Sequence, residues 1–261
     1  MARVFHQLGG NVVLTGFVGR QSTALVEPLR QAGIEVDVVE AYDTSRTCTI
    51  IVDPANRSHP TVINEESPRI EPGATERLMR VVDKWLPRCG AVLVTGSRPQ
   101  GLELDFYGRV LDQAACLNKF SVLDAVVRAN PGLLKLNAEE FAALANLESA
   151  DMDAIVACLR DRPEWFPEQI IVTFGQAGAI LRSATAFVRS APPVVFHANP
   201  IGSGDAFAAG YILEWLNSGN EERAFRLAVA VSAANAASVE PSHIDVSQVR
   251  RLLDSVVLEN L

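Results

Sequence analysis

No apolar run long enough to cross a membrane, no internal repeat and no low-complexity linker occurs in the 261 residues. That excludes a membrane-spanning helix and predicts one domain over residues 1–261. Positive charge is short: 23 Lys and Arg stand against 31 Asp and Glu, a net charge of −8. A polyanionic partner needs a basic face, so no nucleic acid and no membrane is expected among the partners. Cys48, Cys89, Cys116 and Cys158 are scattered without a C-x-x-C pair, and His6, His59, His197 and His243 lack ligand spacing. These gaps exclude a zinc site and a disulfide framework. The N-terminus carries no signal-peptide pattern, and scattered thiols fit a reducing compartment, so a cytoplasmic location is expected. Aromatics make up only 7%; Trp85, Trp165 and Trp215 read as packing residues.

With 48% hydrophobic residues the chain buries a full core. Short apolar runs alternate with helical patterns: Asn11–Phe17 then Thr23–Ala32, Ala91–Thr95 then Asp105–Leu117, then the runs Phe120–Leu123 and Ile170–Phe174. This alternation predicts a mostly parallel sheet covered by helices. From Glu35 to Asn64 the pattern changes to strands such as Cys48–Val52 and Thr61–Asn64, which predicts antiparallel or edge structure. Toward the end come two apolar helices, Asp205–Asn217 and the Ala-rich Glu221–Val239, and a last helix over Val246–Leu258.

The run Asn199-Pro-Ile-Gly-Ser-Gly-Asp205 precedes the first of those apolar helices. Gly202, Ser203 and Gly204 can aim several backbone N–H groups at one anion, with the helix dipole behind them. Asp205 would repel phosphate, and is better suited to take a proton from an attacking hydroxyl. The alternative is an N-cap in a Gly-rich turn, with Asp205 complementing the helix N-terminus.

Five further segments fall in order: Gly9-Gly10 leading to Thr15-Gly-Phe-Val-Gly19, Ser45-Arg-Thr-Cys-Thr-Ile50, Thr95-Gly-Ser-Arg-Pro-Gln-Gly101, Lys135-Leu-Asn-Ala-Glu-Glu140, and Ile171-Val-Thr-Phe-Gly-Gln-Ala-Gly178. Together with the Gly-Ser-Gly-Asp turn they resemble the PfkB (ribokinase-like) carbohydrate kinases, nearest the branch of 1-phosphofructokinase and tagatose-6-phosphate kinase. The resemblance implies a three-layer α/β/α sandwich with a mostly parallel central sheet and a small, incomplete β lid. It implies Asp205 as catalytic base, with Gly202 to Gly204 as the anion hole. Lys135, Asn137 and Glu140 match the K-x-N-x-x-E element that organises magnesium-bound phosphates; residues at that spacing also make a capping box. Arg46 and Ser97 match groups that hold the substrate's existing phosphate; the alternatives are a solvated arginine and a turn-stabilising serine. Thr173, Gly175 and Gly178 match the strand and turn bordering the nucleotide, where absent side chains leave room for it, although a plain Gly turn between strands reads equally well. Asn235 matches a position lining the adenine pocket.

Two departures matter. Pro200 replaces a usual Thr, removing a hydroxyl and an N–H while fixing φ. Asp124 is followed by Ala125-Val126 in place of a hydroxyl-bearing segment. The resemblance also implies that a sugar-binding strand, part of the lid and a G-G-K-G element precede the helix at Met1, and the natural protein is expected to be longer than this chain. The function expected is transfer of the γ-phosphoryl group of ATP, with Mg2+, to a hydroxyl of a fructose-1-phosphate or tagatose-6-phosphate type substrate, in a homodimer or a monomer. The alternatives are a catalytically impaired nucleotide- or sugar-phosphate-binding protein, and a kinase of an unphosphorylated sugar or nucleoside.

Overall fold

The computed structural model describes every residue except 52–60, 125–130 and 197–198. Val52, His59, Ala125, Val126 and His197 therefore lie outside the described residues. The first elements are α1 (Ala2–Gln7), β1 (Val13–Leu14), β2 (Phe17–Gly19), α2 (Thr23–Gln31), β3 (Glu35–Val36), β4 (Val39–Tyr42), β5 (Cys48–Ile51) and β6 (Thr61–Asn64). Next come α3 (Ala74–Trp85), β7 (Ala91–Thr95), α4 (Phe106–Cys116), β8 (Phe120–Asp124), β9 (Leu133–Asn137), α5 (Ala138–Ala145), α6 (Met152–Asp161) and β10 (Gln169–Thr173). The remaining elements are β11 (Ala179–Arg182), β12 (Phe187–Ala191), α7 (Ser203–Ser218), α8 (Glu221–Ala237), α9 (Val246–Leu253) and β13 (Val257–Asn260).

Seven strands form the main sheet in the order β13-β12-β11-β10-β9-β8-β7. β7 to β10 run parallel, and β11, β12 and β13 extend the sheet antiparallel. Strands covered on both faces need apolar residues throughout. Ser121-Val-Leu123 in β8, Leu133-Leu-Lys-Leu136 in β9 and Ile170-Ile-Val172 in β10 are accordingly buried without a break. Leu78 of α3, Phe106 of α4, Phe141 of α5 and Ile155 of α6 cover one face. Phe207 of α7, Phe225 of α8 and Val249 of α9 cover the other. The Ala-rich face of α8 lets α7 approach closely: a Cβ on Gly210 would stand 3.1 Å from the Ala228 Cα. Three layers, α/β/α, result.

Three segments differ from the sequence expectation. Asn11–Phe17 is not one strand but the short β1 and the start of β2, parallel partners of β3 and β4 respectively. Within Glu35–Asn64, only β5 and β6 pair antiparallel. The last helix stops at Leu253, and β13 pairs with β12. There the Ser255 N–H and hydroxyl both bond Leu252 O and close the helix, and Val257-Leu258 find a sheet edge that satisfies their backbone groups. Among the described residues, no helix is long and apolar enough to cross a membrane.

Candidate active site

The parallel strands end together. Register pairs Thr95 of β7 with Asp124 of β8, and Asn137 of β9 with Thr173 of β10, so four polar residues stand at the carboxyl ends of neighbouring strands. Open α/β sheets bind ligands outside this end. The N-terminus of α7 arrives at the same place, because a Cβ on Gly204 would lie 3.5 Å from the Lys135 Nζ.

Two buried asparagines build the turn before α7. The Asn199 amide donates to Val239 O at 3.1 Å and its oxygen accepts from Ile201 N at 3.0 Å. Asn235, fully buried, donates to Ile201 O at 2.9 Å and Ser203 Oγ at 3.1 Å, and accepts from Ser242 N at 2.9 Å. Asn235 thus ties Ile201, Ser203 and Ser242 together through three hydrogen bonds. Gly202 caps α7 in the left-handed region, φ +77. The Ser203 N–H donates to Pro200 O and so is spent on the turn. Among the described residues the Gly202, Gly204 and Asp205 N–H groups have no backbone or side-chain acceptor. They leave an open anion position beside the Asp205 carboxylate, which is 46% exposed and 3.8 Å from the Met1 ammonium.

Beneath the turn, Lys135 Nζ lies 2.9 Å from Asp124 Oδ1, with both side chains largely buried. Burial pushes the Asp124 carboxyl above its ordinary range, against the opposing pull of Lys135. Asn137 and Glu140 form the capping box of α5: Glu140 N donates to Asn137 Oδ1 at 2.8 Å, and Asn137 N donates to Glu140 Oε2 at 2.9 Å. That fixes both side chains where β9 meets α5 and leaves Glu140 Oε1 outside the box.

Arg46 and Ser97, 51 residues apart, meet: Arg46 Nη2 donates to Ser97 Oγ at 3.0 Å, and both are exposed. They lie by the end of β7, while Lys135 and Asn137 are two strands away on β9. Thr173 Oγ1 donates to Leu136 O at 3.4 Å, beside the Asn137 end of β9. Gly175 and Gly178 follow in the turn to β11. At Gly178 the glycine is not leaving ligand space: φ is +103 and a Cβ would meet Ser190 O at 2.0 Å, so the hairpin with β12 itself demands it.

Sequence reasoning missed Asp124 as a site member, and Asn199 as a staple of the turn. Asp124 had a signal, a lone carboxylate closing an apolar strand before a second strand that carries a buried lysine. Asn199 had only the local one of an Asx turn to Ile201 N, since its other partner, Val239, lies 40 residues away.

A model of the pfkB family carbohydrate kinases matches residues 1–246 of the chain. Among solved structures, the fold is similar to a possible 1-phosphofructokinase from Thermotoga maritima, with TM-score 0.88 and 19% identity over 100% of this chain and 85% of that one. It is also similar to phosphofructokinase-2 from Escherichia coli in complex with fructose-6-phosphate, with TM-score 0.83 and 19% identity over 97% and 84% of the two chains. A ribokinase from Arabidopsis thaliana, complexed with ribose and ATP, gives TM-score 0.73 and 14% identity over 97% and 85%.

Proposed function

The chain belongs to the pfkB family of carbohydrate kinases, and from that membership we propose that it transfers the γ-phosphoryl group of ATP to a hydroxyl of a sugar phosphate. A fructose-1-phosphate or tagatose-6-phosphate type substrate fits this reading. The observation that carries it is the α7 turn, where unspent N–H groups and an exposed carboxylate share one helix N-terminus. Asp205 takes the proton of the attacking hydroxyl, and the Gly202, Gly204 and Asp205 amides stabilise charge on the phosphoryl oxygens. One preorganised donor of this kind is worth roughly 100- to 1,000-fold in rate. Lys135, held by Asp124, adds positive charge from below the turn. Thr173 and Gly175 border the nucleotide at the end of β10.

Mg2+ fits the oxygen groups at the end of β9: Glu140 Oε1 lies outside the capping box and Asn137 stands beside it, suiting a hydrated ion that is bound mainly through phosphate. When bound, Mg2+ neutralises charge on the transferring phosphates.

Arg46 and Ser97 together support a phosphorylated substrate, because a guanidinium next to a hydroxyl makes a forked anion ligand. The Escherichia coli neighbour carries fructose-6-phosphate. A homodimer belongs to the same proposal, supported by the exposed apolar side chains of Ile51, Val62 and Ile63 on the β5–β6 pair, and sedimentation velocity tests it. The four free thiols support a cytoplasmic location.

The test is substrate choice. Hexose phosphates are expected to be used far better than the parent hexoses, and Arg46→Ala to raise KM for the phosphosugar about ten- to a hundredfold, the worth of one charge-assisted contact. An unchanged preference in Arg46→Ala would make Arg46 a surface residue and remove the support for a phosphosugar.

A further inference from the structure

Away from the α7 turn, a cavity of about 760 Å3 opens between α3, the stretch from Asp37 into β4, and the end of β2. Arg77, Arg80, Val81 and Lys84 of α3 line it; their spacing puts them on one face of the helix, while Leu78 and Val82 enter the core from another. Arg20, just after β2, completes a set of four cations. Three carboxylates, Asp37, Glu40 and Glu71, share the lining. In a chain of net charge −8 this excess of cations around one hollow is a local reversal of sign.

Two of the carboxylates are already engaged. Asp37 accepts from Lys84 Nζ and Trp85 Nε1, and Glu71 sits between Arg20 and Arg77, accepting from Nη2 of each. Arg80 is exposed and has no hydrogen bond or ion pair among the described residues, and Glu40 is the one lining carboxylate without a cation partner there. Arg77 and Arg20 keep further guanidinium N–H groups besides the one each gives to Glu71. Val38, Val39 and Val81 supply apolar surface. The lining therefore asks for an anion with several acceptor oxygens, a carbon skeleton, and a hydroxyl to donate to Glu40. Inorganic phosphate answers only the first demand, and a polyphosphate is repelled by Glu40. A hydroxylated phosphate monoester answers all three.

We propose that this cavity binds a small hydroxylated phosphate monoester and serves as an effector site for the Arg46–Ser97 pair. The connections run through backbone. Arg20 follows Gly19, whose N–H donates to Ser45 Oγ at 2.9 Å, one residue from Arg46. That approach is close enough for a shift at one side to move the other, since a Cβ on Gly19 would stand 2.5 Å from Ser45 N. Glu71 N donates to Ala41 O at 2.8 Å, and Ile70 N donates to Gln100 O at 2.9 Å, in the turn that carries Ser97. A phosphate shared by Arg80, Arg77 and Arg20 adds a second tie beside Glu71, steadying both segments that present Arg46 and Ser97. The resulting gain in affinity for a sugar phosphate alone rests on the phosphosugar reading.

The test uses calorimetry and amide hydrogen exchange with glycerol 2-phosphate as probe, neither of which depends on turnover. The parent is expected to bind it saturably with Kd below about 1 mM. Arg80→Ala is expected to raise Kd about ten- to a hundredfold, the worth of one charge-assisted contact, and Arg46→Ala by no more than about twofold. Arg80 is exposed and unpaired, so Arg80→Ala is expected to melt with the parent; Arg80→Gln, which keeps the bulk of the side chain, repeats the comparison if it does not. The probe is expected to slow exchange of the Gly19, Ile70 and Glu71 amides about threefold or more in the parent and not in Arg80→Ala. Absence of saturable binding, or equal Kd values for the parent and both Arg80 variants, would overturn the site. Binding lost in Arg46→Ala and kept in Arg80→Ala would assign the probe to the Arg46–Ser97 pair and overturn it too. Inorganic phosphate binding as tightly as the probe would overturn the monoester class, and binding that leaves those amides unchanged would overturn the effector role. A parent without kinase turnover bears on the phosphosugar reading and leaves the binding and exchange outcomes as they are.

Discussion

Asn235→Ala removes one side chain and unties three points of the anion turn. Its amide donates to Ile201 O and Ser203 Oγ, and its oxygen accepts from Ser242 N, at 2.9, 3.1 and 2.9 Å. Each buried polar group left without a partner costs about 1–3 kcal/mol. Ile201, Ser203 and Ser242 are half-buried, so water reaches part of what is lost, and the expected destabilisation is about 2–4 kcal/mol. Urea titration reads this as a lower midpoint with an unchanged slope. Chemistry should suffer as well, because the turn carries the amides and Asp205: kcat is expected to fall about ten- to a hundredfold, or about 1.4–2.8 kcal/mol of barrier. Asn199 Oδ1 also holds Ile201, accepting from its backbone N–H. The double variant Asn199→Ala/Asn235→Ala should therefore lose less than the two single losses added. An Asn235→Ala protein within about 0.5 kcal/mol of the parent, with unaltered kcat, would refute the stapled-turn account.

Gly178→Ala is expected to cost about 2–5 kcal/mol, combining left-handed strain with a collision against Ser190 O, whereas Gly175→Ala, at φ +57 with open space around it, costs only about 1–2 kcal/mol; thermal melts of the pair decide. Asp37 accepts from Lys84 Nζ and Trp85 Nε1, each at 2.7 Å, and these bonds hold its carboxyl below the ordinary range. A depressed folded pKa means the stabilisation is present above the ordinary carboxylate pKa of about 3.9 and is lost as pH falls through the lower, folded value. Asp37→Asn should flatten the stability–pH curve in that acid window and leave its shape near neutrality unaltered; an unaltered acid limb would refute the assignment.

The parallel half of the fold was legible because burial on both faces leaves no choice of residue: the apolar runs at β7, β8 and β10 name themselves. β13 was not, since Val256-Val257-Leu258 continue a helical spacing and only the waiting edge of β12 decides for a strand. Motif order marked out the Gly202–Asp205 turn, Arg46 with Ser97, and the Asn137–Glu140 capping box. Local sequence could not show which polar groups are spent internally. The hydrogen bonds of Asn235 to Ser203 Oγ and Ser242 N exist only once the turn and the Ser242 loop meet in three dimensions. Likewise, Asp124 and Lys135 belong to different strands and become a pair through sheet register.

Phosphoryl transfer by the parent protein and by Asp205→Asn, measured with MgATP and a panel of hexose phosphates, tests the central claim most directly. The account predicts sugar-phosphate-dependent ADP formation by the parent, and a kcat lower by orders of magnitude in Asp205→Asn with ATP affinity little changed, because a base acts in the transition state and is not needed to hold the nucleotide. Comparable kcat values in the two proteins, or calorimetric binding of ATP and sugar phosphate without any turnover by the parent, would contradict it.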